Sequence, residues 1–155
     1  MTRAYPYYPA WDGKAASPLI LKAADLLTRR YKGTKNIGTY VNRDMRGKPG
    51  QKSVHATGYA LDLQYVDEAQ ARLIWDYLLA HSYELGVCEL HWYAYGEYGA
   101  GYRCSRGEGK AGVKVFTATD NAGSYQGNPN WLHLELDQNL TPAMWEETFR
   151  ATKPA

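Results

Sequence analysis

A chain of 155 residues, 45% hydrophobic and 22% charged, is long enough for one domain with a real core, burying roughly 68–70% of its unfolded surface. Its net charge of +2 excludes the strongly basic character of a nucleic-acid-binding domain, and no apolar run reaches membrane-spanning length. The opening residues Met1-Thr2-Arg3-Ala4-Tyr5-Pro6 lack the apolar segment and small-residue cleavage site of a signal peptide. Cys88 and Cys104 are the only cysteines. They are not spaced as a C-x-x-C pair, and without a signal peptide two reduced thiols are expected, although an oxidising compartment would allow one disulfide.

The first sixteen residues, rich in Tyr, Pro and Ala, are expected to drape over the surface. Ser17-Pro18 reads as an N-cap followed by proline at the first helical position. The apolar side formed by Leu19, Leu21, Ala23, Ala24, Leu26, Leu27 and Tyr31 predicts a helix over 18–31. A strand is predicted over 37–42, a polar loop over 46–52 and a second strand over 59–64. Asp67 with Gln70 resembles a capping box opening a helix over 68–85, which Gly86 closes. Strands follow at 87–95, 113–117 and 132–136, with a long Gly-rich loop over 96–112. Thr141-Pro142 caps a last short helix containing Trp145 and Phe149. The expected class is α+β, a small antiparallel sheet with helices packed on one side. The domain spans 1–150, and the tail 151–155 reads as the start of a linker.

Chemistry concentrates in Ser53-Val-His55-Ala-Thr-Gly58-Tyr-Ala60-Leu-Asp62 and in Trp131-Leu-His133-Leu-Glu135. His55 and Asp62 are seven apart. In one straight strand they would lie on opposite faces; on one helix they would be about 10.5 Å apart along the axis. They converge only if the backbone bends between them, and Gly58, midway, permits the bend. Alternation then sorts the two strands. Ala60 and Asp62 share a face opposite Tyr59, Leu61 and Leu63; Trp131, His133 and Glu135 share a face opposite Leu132, Leu134 and Leu136. Neighbouring strands would bring Asp62 to His133, with His55 arriving from the bend. A His, an Asp and a second His can hold a catalytic zinc while a fourth position stays open for water. His81 is expected at the surface or an interface. His91 is read as a satisfied strand histidine, with the cleft as the alternative. Trp92, Tyr93, Tyr95 and Trp131 suit a lined groove and core packing equally.

The pattern Ser-x-His-x-x-Gly-x-Ala-x-Asp, met in full at Ser53, His55, Gly58, Ala60 and Asp62 and followed by a strand carrying His133, resembles the LAS-type zinc peptidases. These are D-alanyl-D-alanine carboxypeptidases and L-alanyl-D-glutamate endopeptidases that cut peptidoglycan cross-bridges. Gly38 to Arg43 is also similar to that family, and the resemblance covers about residues 18–137. It implies a hedgehog/DD-peptidase-like fold and one Zn2+ held by His55, Asp62 and His133. Ser53, Asn130 and Trp131 are implied to contact substrate, and Arg43, or else Arg46, to stabilise the oxyanion. The implied partner is the peptide part of peptidoglycan, with no nucleic acid or membrane, and the implied state is a monomer. Absence of a signal peptide fits a bacteriophage endolysin domain that is made in the host cytoplasm and released to the wall at lysis.

The family usually carries an acid three positions before its last His. Here that position is Asn130, and an amide cannot act as a general base. Glu135, on the face of His133 and about 6–7 Å along the strand, is the expected substitute, ahead of Asp120 and Glu89. Two other readings remain: a non-catalytic zinc-containing wall-binding domain, and a cytosolic D-Ala-D-Ala dipeptidase.

Overall fold

The computed structural model describes residues 2–120 and 128–154. Along the chain run α1 (Pro18–Arg30), β1 (Lys35–Gly38), β2 (Asp44–Met45), β3 (Lys48–Lys52), a 3-10 turn (Val54–Thr57), β4 (Ala60–Gln64) and α2 (Glu68–Ala80). They are followed by β5 (Val87–Trp92), β6 (Ala100–Arg103), a second 3-10 turn (Gly109–Gly112), β7 (Val113–Val115), β8 (Trp131–Leu136) and α3 (Pro142–Ala151). Six strands form one antiparallel sheet in the order β1-β4-β8-β5-β6-β7, and β2 and β3 form a separate hairpin. The class is α+β.

The leucine face of the sheet makes the core. Leu61 and Leu63 lie opposite Leu134 and Leu132; Leu90 and Trp92 lie opposite the same two from the other side. All are essentially inaccessible to water, and each full burial of such a side chain is worth about 1.5–3 kcal/mol. The helices cover this face, α1 over β4 and β1, α2 over β5 and β8, and α3 against α1. Their starts are fixed by side-chain caps: Ser17 accepts from Ile20 N, Asp67 from Gln70 N and Thr141 from Met144 N. Arg30 ties α1 to α3, donating to the Phe149 carbonyl at 2.7 Å with its guanidinium over the Phe149 ring. Among the described residues, no helix is long and apolar enough to cross a membrane.

Several expectations change. In α1, Ile20 is buried and Leu21 is exposed. The strand expected at 37–42 is Lys35–Gly38, because Asn36 Oδ1 accepts from Gly38 N and the register slips there, turning the chain out of the sheet. The loop expected at 46–52 contains β3, closed on β2 with Gly50 N donating to Asp44 Oδ2. α2 ends at Ala80, and turns carry the chain to Gly86, whose φ of +61° leads into β5. The loop expected at 96–112 contains β6. The opening segment does not drape loosely: Arg3 N donates to the Cys104 carbonyl, Gly13 N to the Ala56 carbonyl, and Tyr7 is buried. Cys88 and Cys104 are buried free thiols on adjacent chain segments, Cys104 N bonding to the Cys88 carbonyl.

Candidate metal centre

β4 and β8 are neighbours in the register the alternation requires, with Asp62 directly opposite His133, Ala60 opposite Glu135 and Gln64 opposite Trp131. His55 reaches them from the 3-10 turn. Ser53 Oγ caps that turn by accepting from His55 N at 3.3 Å, and Gly58 ends it at a φ of +84° with its N–H on the His55 carbonyl. A side chain at Gly58 would collide with the Ala15 carbonyl oxygen and stand 3.1 Å from Ser17 N. The bend therefore needs glycine twice, for its φ and for its close neighbours.

His55 Nε2 lies 3.3 Å from Asp62 Oδ2, and His133 Nδ1 lies 3.0 Å from Asp62 Oδ1. One ligand atom from each residue falls within 4.8 Å of the others, so this buried group can hold a metal ion. The remaining ring nitrogens test the fit. His55 Nδ1 is 3.0 Å from the Thr39 carbonyl, which only accepts, so the proton sits on Nδ1 and the lone pair of Nε2 faces Asp62. His133 Nε2 is 2.6 Å from Glu135 Oε2, which leaves Nδ1 as the ligand nitrogen. Both histidines thus carry the outer partner that orients a metal ligand. Burial raises the Asp62 carboxyl, but hydrogen bonds and charge from His133 and His55 outweigh it and hold the group well below the usual range. Burial would lower the His133 pKa. The interactions with Tyr93, Asp62 and Glu135 instead raise it well above its ordinary value. A cation at Nδ1 would replace that proton.

Glu135 lines the cleft with both of its oxygens engaged. One oxygen binds the far nitrogen of His133 and the other accepts from the Tyr5 hydroxyl, an arrangement that suits orienting a ligand. Beside it, across β5 and β8, Glu89 lies opposite Glu135 and His91 opposite His133. Glu89 is buried and takes Arg103 Nη2 at 2.6 Å on one oxygen and His91 Nε2 at 2.5 Å on the other. Burial opposes its ionisation, but the charges of His91 and Arg103 prevail and bring its pKa down to about 2. His91 is therefore in the cleft. Its ring lies over Gly101, where a Cβ would come within 2.6 Å of His91 Cδ2.

The cleft has a volume of about 1370 Å³ and runs over the polar face of the sheet between the opening segment and the β2–β3 hairpin. Arg43 lies on its exposed rim, its guanidinium donating to the Asp44 carbonyl at 3.2 Å, and Arg46 joins it there. Ser53 and Trp131 line the cleft, whereas Asn130 is exposed outside it and uses its carbonyl to accept from Tyr65 N. Asp120 is bound by Lys114 and Thr117, away from the centre. His81 pairs with Glu84. Sequence reasoning missed Tyr5 and Arg103, and held the cleft position of His91 only as the alternative. The Glu89-x-His91-x-Tyr93 alternation is a signal for one strand face, but only the pairing with β8 tells which face it is. No family model, curated protein or solved structure matches the chain.

Proposed function

We propose that the chain is a zinc-dependent hydrolase of amide bonds in the peptide part of peptidoglycan, with a hedgehog/DD-peptidase-like fold and the role of a phage endolysin domain. The observation that carries this reading is the buried His55–Asp62–His133 group, whose two histidines have their ligand nitrogens freed by Thr39 and Glu135. Two histidines and one carboxylate in a closed corner of an open cleft suit zinc with one position left for a reactant. When bound, zinc supplies a Lewis acid that polarises the scissile carbonyl and brings the pKa of water to about 7.

The chain's own residues do the rest. Glu135 keeps His133 in the ligating tautomer, and Tyr5 keeps Glu135 in place. In its neutral form His91 is placed to take the proton of the attacking water and return it to the leaving amine: Glu89 can only accept, so it holds the proton of His91 Nε2, and the lone pair of Nδ1 lies beside the Tyr93 hydroxyl. The His91 side chain is 20% exposed, open enough to meet a reactant. Arg43 and Arg46 offer positive charge at the rim for the carboxylates of wall peptides, and Trp131 gives the cleft an apolar wall. The test is a muropeptide digest analysed by mass spectrometry with zinc, after chelation, and after zinc is restored. Cleavage that persists in the metal-free protein would refute the reading.

A second reading, a zinc-containing wall-binding domain without hydrolysis, is favoured by one observation: both oxygens of Glu135 are committed to His133 and Tyr5. One zinc per chain and binding to walls, with no new amino groups released from any fragment, would establish it.

A further inference from the structure

We propose that Tyr93 is the hydrogen-bond donor for an anionic oxygen seated at the open side of the metal centre. Its place follows from the sheet. Tyr93 is the first residue after β5, in the turn that follows it, and lines the cleft together with His91, His133 and Asp62. Its ring is held edge-on between two neighbours, His91 at 5.4 Å and Trp131 at 6.0 Å between centroids. Its backbone is held as well. Gly99 packs so closely on Tyr93 that a Cβ there would come within 3.2 Å of the Tyr93 Cα. Ring and backbone are therefore fixed before any ligand arrives, which is what a preorganised donor requires.

The hydroxyl has work left to do. Its hydrogen bond within the described residues runs to His91 Nδ1 at 3.4 Å, long beside the usual distance of about 2.8 Å. A half-buried phenol so loosely bound retains most of its capacity to donate. A tyrosine is protonated at neutral pH, and burial pushes Tyr93 higher still, to about 12, so it is available as a donor. The arginines expected to stabilise an oxyanion lie at the exposed rim. Tyr93 lines the same cleft as His55, Asp62 and His133 and offers a neutral donor inside it. The ligand class is an oxygen that gains negative charge near the metal: the carbonyl of a scissile amide, a carboxylate or a hydroxamate.

This inference rests on the metal-site part of the proposed function and not on hydrolysis, and the test keeps the two apart. The protein is loaded with cobalt(II) and titrated with acetohydroxamate, binding being read from the visible spectrum. Tyr93→Phe should keep one cobalt per chain and the ligand-free spectrum, yet bind acetohydroxamate about ten- to a hundredfold more weakly, the range for a hydrogen bond to a charged group. Trp131→Leu, which removes one side of the slot without touching the hydroxyl, should weaken the same ligand, and its effect should shrink in the double variant. Affinities within twofold of the starting protein in both single variants would overturn the proposal, as would failure of the unmodified cobalt protein to bind the hydroxamate. Tyr93-dependent binding by a protein that cuts no muropeptide would support Tyr93 and refute hydrolysis.

Discussion

Replacing Glu135 by Gln separates the two roles that a carboxylate beside a metal centre can have. Glu135 Oε2 accepts from His133 Nε2 at 2.6 Å, a charge-assisted bond roughly twice as strong as its neutral counterpart. A glutamine keeps the shape and can still present a carbonyl to Nε2, but without the charge. Loss of such an outer partner lowers metal affinity by about 10–100-fold, or about 1.4–2.8 kcal/mol. Zinc affinity is measured by competition with a chromophoric chelator, and wall hydrolysis is followed in parallel at rising zinc. An orienting Glu135 predicts weaker zinc binding and activity that returns once zinc saturates the site. A proton-accepting Glu135 predicts unchanged affinity and a loss of about 10²–10⁴-fold in rate that zinc does not repair. The second pattern would refute the role given to Glu135 here.

Four further outcomes are expected. Gly58→Ala combines a left-handed backbone cost of about 1–2 kcal/mol with overpacking against fixed backbone of about 1–3 kcal/mol, so calorimetry should show Tm lower by about 4–20 °C; a drop under 2 °C would contradict the crowded bend. Gly101→Ala pushes a Cβ to 2.6 Å from the His91 ring and 2.8 Å from Phe116, and should lower kcat while zinc content stays at one per chain; unchanged kcat would remove His91 from the reaction. Zinc at about 100 times its Kd should stabilise the protein by about 2.7 kcal/mol, raising Tm by about 5–11 °C, and a Tm indifferent to zinc would exclude the metal centre. The Glu89 carboxyl is lowered from 4.5 to about 2, so its contribution to stability is full above pH 4.5 and is lost as pH falls toward 2. Glu89→Gln should therefore flatten the dependence of stability on pH across that window in acid titrations of denaturant unfolding, and an unaltered slope would count against the ion pair.

The metal group was legible because it obeys local rules. Alternation assigns His133 and Asp62 to one face whatever surrounds them, and a seven-residue gap with glycine at its middle has few ways to close on one ion. The one condition left open was that the two strands be neighbours, and β4 and β8 are. The second row of the site was not legible for the opposite reason. Glu89, His91 and Tyr93 alternate as well, but their side of the sheet is set by pairing with a strand more than forty positions away. β6 was hidden by composition: Gly99 and Gly101 look like loop residues, yet they are there because Tyr93 and His91 pack against them. The opening segment has no periodicity to read, so nothing local announces that Tyr5 and Tyr7 dock on β8. Asn130 misled through its position in the motif, since its side chain lies outside the cleft.

The sheet is completed out of order. β8, made after both of its neighbours, fits between β4 and β5, and Tyr5 meets Glu135 across 130 positions of sequence. A ribosome adding about 5–20 residues per second needs roughly 7–26 s to cover that distance. Through the later part of that interval, once Asp62 has been made, the nascent chain has His55 and Asp62 but neither His133 nor the carboxylate that orients it. The metal group is therefore complete only once β8 has been made and has entered the sheet.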